Sequence, residues 1–326
     1  MLEVTHDETY NIQTAATAFT GNLHFSFFKE KIGKVFKQLQ PDIIDLENET
    51  FNAGSAQVVY LRNRFSPKSK IVFHASQSDF KQYPFPFSGF ERYSIRHASG
   101  FMARNQDAVD VLRRKGFKGD IEVITHGVDP NQFTWKRDDA RKGLGWKDEF
   151  TVGYLGAFGE HKGLEILLQA ASHVQCNVVM IGDGNIKEQL QQRARDLNIY
   201  DRVLFIPPVP HRDVPKYLTA LDVFVLPSRT AMNWREKFGR VIIEAMASSV
   251  PVVGSGSGEI PRVIGDAGLV FPEGDSGVLA EYLNLLKDNE GERKRLSELG
   301  LKRVREKYSW DVIAGQTHAL YQKVLS

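Results

Sequence analysis

Over most of the chain, short runs of β-branched and other apolar residues alternate with stretches whose apolar positions repeat at helical spacing. In the first half the runs "PDIIDLE" (41–47), "KIVFHAS" (70–76), "GFMARN" (100–105) and "DIEVIT" (120–125) predict strands. In the second half the corresponding runs are "FTVGYLGA" (150–157), "CNVVMIGDG" (176–184), "RVLFIPP" (202–208), "DVFVLPS" (222–228), "VPVVGS" (250–255) and "GLVFP" (268–272). Strands this continuously apolar are expected where helices cover both faces of a parallel sheet. Between the two sets, "NQFTWKRDDARKGLGWKDE" (131–149) is polar, charged and strandless, which marks a boundary. The pattern predicts two doubly wound, Rossmann-like α/β domains, 1–135 and 136–309, facing each other across a cleft. A last helix, 310–326, is placed to cross back to the first. Near the start, "FFKEKIGKVFKQLQ" (27–40) sets Phe28, Ile32, Val35, Phe36 and Leu39 on one helical face, ringed by Lys29, Lys31, Lys34 and Lys37. That stretch fits a helix packed on the core with a solvated basic rim. It also fits a surface resting on anionic lipid.

Length and composition narrow the classes. A chain of 326 residues exceeds what one core usually serves. It is 42% hydrophobic and 25% charged, with a net charge of +2, so there is no basic excess of the kind that tracks a nucleic-acid backbone. The single Cys176 cannot form an intramolecular disulfide, and no Cys/His cluster has zinc spacing. No apolar run is long enough to span a bilayer, and "MLEVTHDETY" is acidic, unlike a secretory leader. The chain reads as cytoplasmic, or as resting on the cytoplasmic face of the inner membrane.

Ligands of open α/β sheets bind outside the carboxyl ends of the strands, so the residues that directly follow strands carry the chemistry. After the first strand of the second half comes "LGAFGEHKG" (155–163), in which Lys162 stands at the start of a helix. A lysine beside helix N-terminal amides suits a phosphate, although a lone surface lysine is also common. "IGDGN" (181–185) ends a strand with two glycines, as ordinary turns also do. Further on, "EKFGRVIIE" (236–244) places two glutamates around a glycine and an apolar run. With a helix starting near Phe238, Glu236 lies in the preceding loop, Gly239 exposes helix amides, and Glu244 lies about 10 Å further along the axis. An anionic diphosphate on those amides, a sugar on one side and a ribose on the other would match this spacing. In isolation the same residues fit an acid offsetting a helix dipole and an ordinary exposed glutamate.

The longer stretch "EKFGRVIIEAMASSVPVVGSGSGEIPRVIGDAGLVFPEGD" resembles the donor-site signature of glycosyltransferase family 4, retaining enzymes of the GT-B fold. The Glu-x7-Glu spacing, "EAMA", "PVV", "GLVF", the "SW" before the last helix and the "GVD" at 127–129 agree in order, over a match from about residue 20 onward. "GNLHF", "QPDIIDLE", "YPFPFSGFERY" and "GVDPNQF" resemble a bacterial subgroup that builds surface or capsular polysaccharides. The resemblance implies that Glu236 contacts donor-sugar hydroxyls near the anomeric carbon and that Glu244 holds the ribose. It gives the backbone of Phe238, Gly239 and Arg240 to the sugar and diphosphate, Lys162 to the phosphates, Val209 to the base, and the strand-end Gly156 to the donor site. His74, directly after a strand, resembles the histidine that reaches the reaction centre from the acceptor domain. It implies a nucleoside diphosphate sugar as co-substrate, a glycan or lipid-linked acceptor, and no metal, with Lys162 and amides neutralising the leaving diphosphate.

Two departures qualify the resemblance. The family usually carries an arginine where this chain has Ala157, and a lost charge-assisted phosphate contact is worth about 1.5–3 kcal/mol. Arg235 or Arg240 could substitute, and Ser248 and Ser249 stand where a small pair such as Cys-Gly is common. The family also opens with a strand, a glycine-rich loop and a long helix that the sequence does not display, so the first domain is expected to be incomplete and to invite self-association. These departures favour a rival reading, a partner-dependent or non-catalytic nucleotide-sugar-binding subunit. An epimerase on the same fold is a third.

Overall fold

The computed structural model describes residues 14–19, 21–22, 24–29, 32–232 and 234–326. The N-terminal decapeptide and Lys31 lie outside the described residues. Every strand expected from the sequence is present, and a short antiparallel pair, β1 (Thr17–Ala18) with β2 (Phe27–Phe28), is added. Packing divides the chain into two units: the residues up to Ile124 with Gln316–Ser326, and Thr125–Gly315.

The first unit holds a parallel sheet in the order β3 (Ile43–Leu46), β4 (Lys70–Ala75), β5 (Gly100–Ala103), β6 (Asp120–Val123). All of β5 is buried, and Phe73 stacks on Phe101 in the core. The 27–40 stretch does not form one apolar face. Phe28 belongs to β2, and the helix is Ile32–Leu39. Gly33 and Phe36 are buried while Val35 and Leu39 stay exposed. The inward face is set by close packing, since a Cβ on Gly33 would come within 2.5 Å of the Phe65 ring.

The second unit holds a six-stranded parallel sheet. Its strands are β7 (Thr151–Leu155), β8 (Asn177–Ile181), β9 (Val203–Ile206), β10 (Val223–Leu226), β11 (Val252–Ser255) and β12 (Gly268–Phe271), in the order β12-β11-β10-β7-β8-β9. The order reverses direction at β7, next to β10, and this is where ligands of doubly wound sheets bind. Both faces are covered, and every residue of β10 is buried. At the amino end, Asp222 is a buried anchor that accepts from Arg137 at 2.8 Å, Arg141 at 2.7 Å and the Thr151 amide at 2.7 Å.

The division at 124/125 falls earlier than the polar stretch 131–149 suggests. The segment after Ile124 is tied to the second unit: the Val128 amide donates to the Tyr308 carbonyl, the Trp310 amide donates to the Val128 carbonyl, and Phe133 is buried. The end of the helix Trp310–Leu325 belongs to the first unit. There Tyr321 donates to Asp45, Lys323 pairs with Asp120 and Glu122, and Val324 lies against Gly100.

Candidate functional site

The carboxyl end of β7 continues into Gly156, Ala157 and the buried Phe158. This loop lies against the one after β8. The Phe158 amide donates to the Asp183 carbonyl at 2.8 Å, and a Cβ on Gly182 would fall 1.9 Å from the Gly156 carbonyl oxygen. The glycines of "IGDG" therefore serve loop-to-loop contact before any ligand arrives. Beside them is a cavity of about 290 Å³, lined mainly by apolar atoms of Gly156, Ala157, Gly182, Pro208, Val209 and Val214. Gly156 and Val209 thus share one recess with Ala157. Its size and apolar walls suit a flat heterocycle.

Lys162 closes a short 3-10 turn, Glu160–Lys162, and the α-helix begins two residues later at Leu164. The sequence placed Lys162 in that helix; Gly163, in the left-handed region at φ 62°, breaks the two apart. The ammonium pairs with Glu236 at 2.8 Å and sits 4.5 Å from the centre of the Trp234 ring. Glu236 also accepts from the Ser228 hydroxyl at 3.2 Å, and its carbonyl accepts from the Glu259 amide at 3.0 Å. Its side chain is only 13% exposed. His161 packs against Trp234, 4.0 Å between the two ring centres. Burial, then the charge of Lys162, push the His161 pKa down against the opposing pull of Glu236 and Glu160.

The helix carrying Glu244 is Arg240–Ala247, so it starts two residues after the expected Phe238. Phe238 is instead a core side chain, its ring 5.3 Å from His126 and 5.8 Å from Tyr308, which leaves only its backbone for a ligand. Gly239 precedes the helix at φ 77°, and a Cβ there would meet Leu226 at 2.9 Å. Its N-cap residue is a glycine, which has no side chain to cap the first amides, so they can serve an anion. Glu244 is buried and pairs with the exposed Arg240 at 3.3 Å. Burial pushes its pKa above the ordinary 4.5, against the opposing charges of Arg240 and His211.

His74 belongs to the first unit. Its Nδ1 accepts from Arg104 at 2.7 Å, which leaves Nε2–H to donate to Asp45 at 2.8 Å. Asp45 also accepts from Tyr321, and Arg104 pairs with Glu47 at 3.1 Å. Burial alone would raise the Asp45 pKa; hydrogen bonds from His74 and Tyr321 and the charges of His74 and Arg104 outweigh it and hold it low. Both ring nitrogens of His74 are therefore engaged within the first unit. Among the described residues no cluster of His, Cys, Asp or Glu is placed to hold a metal ion.

The structure brings Lys162 and Glu236 into contact and gathers Gly156, Val209 and Ala157 around one recess. It sets Glu244 on the helix that follows Gly239. Sequence reading missed Trp234, His161 and Ser228, although a tryptophan two positions before Glu236 in an otherwise polar segment was a usable signal.

Two α/β units, each on an all-parallel sheet, with ligand-ready loops at the strand ends of the second, define the GT-B class of glycosyltransferase fold. The chain belongs to the glycosyl transferases group 1 family, whose profile matches residues 136–303, just over half of it. It is 31% identical over 216 residues to N-acetyl-alpha-D-glucosaminyl L-malate synthase of Bacillus anthracis, covering 63% of this chain and 54% of that protein. It is 34% identical over 182 residues to the phosphatidyl-myo-inositol mannosyltransferase of Mycobacterium leprae, covering 53% and 46%. The chain spans about half the length of these curated relatives. Among solved structures, Anabaena HepE in complex with UDP shares the fold at a TM-score of 0.73 and 23% identity, over 89% of this chain and 81% of that one.

Proposed function

We propose that the protein is a retaining glycosyltransferase, moving a sugar from a nucleoside diphosphate sugar to a glycan or lipid-linked acceptor in surface-polysaccharide synthesis. The observation that carries this reading is the pairing of Lys162 with Glu236 beside the uncapped helix start at Gly239, with Glu244 buried on the same helix. Lys162 and the amides after Gly239 meet the charge that develops on the leaving diphosphate. Glu236 then orients the sugar, Glu244 takes the ribose, and the recess at Val209 and Gly156 takes the base. HepE was solved with UDP, which makes UDP the first nucleotide to try. No metal is invoked in this reading, since a lysine and helix amides can supply the positive charge.

Titration with UDP, GDP and ADP, followed by hydrolysis of the matching nucleotide sugars, tests the proposal. Micromolar binding of one of them with turnover supports it, and no binding of any removes it. A second reading, a partner-dependent or non-catalytic nucleotide-sugar-binding subunit, draws support from Ala157, which offers no cation, and from the neutralisation of Lys162 by Glu236. Binding without turnover would favour it. No helix among the described residues is long and apolar enough to cross a membrane. A lipid-linked acceptor would be met at the membrane surface, where exposed Leu39 and Val35 lie on the same short helix as Lys34 and Lys37.

A further inference from the structure

We infer that Trp234 is the positioning residue that holds Lys162 in place for the donor's diphosphate, an inference that rests on the donor-site reading above. Two groups hold the Lys162 ammonium, the Glu236 carboxylate at 2.8 Å and the Trp234 ring at 4.5 Å, and they act differently on an arriving anion. The carboxylate neutralises the cation and repels a phosphate, so a bound diphosphate competes with it for Lys162. An aromatic face attracts the cation through its quadrupole and adds no net negative charge. When Glu236 turns to the sugar, Trp234 still restrains a side chain that is otherwise a flexible four-carbon stem.

The ring is itself held in place. The Trp234 amide donates to the Ala231 carbonyl at 3.2 Å and its carbonyl accepts from the Ala231 amide at 2.7 Å, which closes a tight turn. Arg229 donates its amide to the His161 carbonyl at 2.8 Å, so this loop is fastened to the one that carries Lys162. The His161 ring backs the indole. Thr230 secures the same segment through its amide and hydroxyl, which donate to Glu273 at 2.6 and 2.7 Å. A lysine clamped between a rigid ring and a carboxylate that substrate can replace is a cation aimed in advance.

The test is a double-mutant cycle read by calorimetric titration of UDP, or of whichever of GDP and ADP the protein prefers. Trp234→Leu should weaken binding about fivefold, and Trp234→Phe should recover most of that loss. In a Lys162→Ala background, Trp234→Leu should cost nothing further. Should Trp234→Leu not fold, Trp234→Gln removes the ring at similar size and serves in the same cycle. An equal loss from removing the ring in both backgrounds, or no rescue by phenylalanine, overturns the role of Trp234 alone. Failure of the unaltered protein to bind any of the three nucleotides brings down the donor-site reading, and Trp234 with it.

Discussion

Asp45 in the first unit and Glu244 in the second both have displaced pKa values, and the two are displaced in opposite directions. In the first unit, Asp45 is surrounded by donors from His74 and Tyr321 and by the charge of Arg104, so folding favours its ionised form. Its contribution to stability is full above the unfolded value near 3.8 and is lost as pH falls through the lower folded value. In the second unit, burial dominates at Glu244 and folding favours its protonated form. That contribution is full below about 4.5 and is lost as pH rises through the higher folded value. The lesson is one of completion. Asp45 already has its partners, whereas the described ion pair of the buried Glu244 is with an exposed arginine.

The contrast can be broken at four points. The largest effect is expected at Glu236: Glu236→Ala should lower transfer about 100-fold or more, because the reacting sugar loses its orientation. UDP affinity should stay within about threefold, and equal, negligible effects on both activities would return Glu236 to the role of a helix-end charge. Next is Glu244→Ala, expected to weaken UDP by about 1–3 kcal/mol as a ribose hydroxyl loses its acceptor. Glu244→Gln should raise the melting temperature at pH 7 and leave it unchanged below pH 4; thermal melts across that range measure the sign, and a drop at neutral pH would contradict it. His74→Ala should destabilise the first unit by about 1–2 kcal/mol, since Arg104 and Asp45 both lose a partner. Nucleotide binding should be untouched, and a loss of transfer with unchanged melting would instead make His74 a reactive group. The smallest effect is expected from Ala157→Arg. A new exposed cation should tighten UDP by up to about fivefold and lose that gain in high salt; unchanged affinity would mean that the phosphates lie elsewhere.

Much of the fold could be read in the sequence because both faces of each sheet are covered, which leaves long apolar runs that hardly resemble anything else. The β1–β2 pair was invisible, since two-residue strands carry no period. Helix starts at Leu164 and Arg240 were placed too early because Gly163 and Gly239 act as breaks only once their left-handed backbone is known. The contact between Lys162 and Glu236 spans 74 positions and was not anticipated, whereas each residue's separate role was suggested by local spacing and sharpened by family likeness. The engagement of His74 could not be read at all, because its network draws on β3, on Arg104 after β5 and, through Asp45, on Tyr321 far down the chain.

Tyr321, Lys323 and Val324 complete the first unit, yet they leave the ribosome after the whole of the second. Domains generally fold in the order of their synthesis. Here the order is inverted for one face of the early unit, where Gly100 and Asp45 wait uncovered until the final helix arrives. A nascent chain stalled near Gly315 would hold the second unit and an uncovered face of the first.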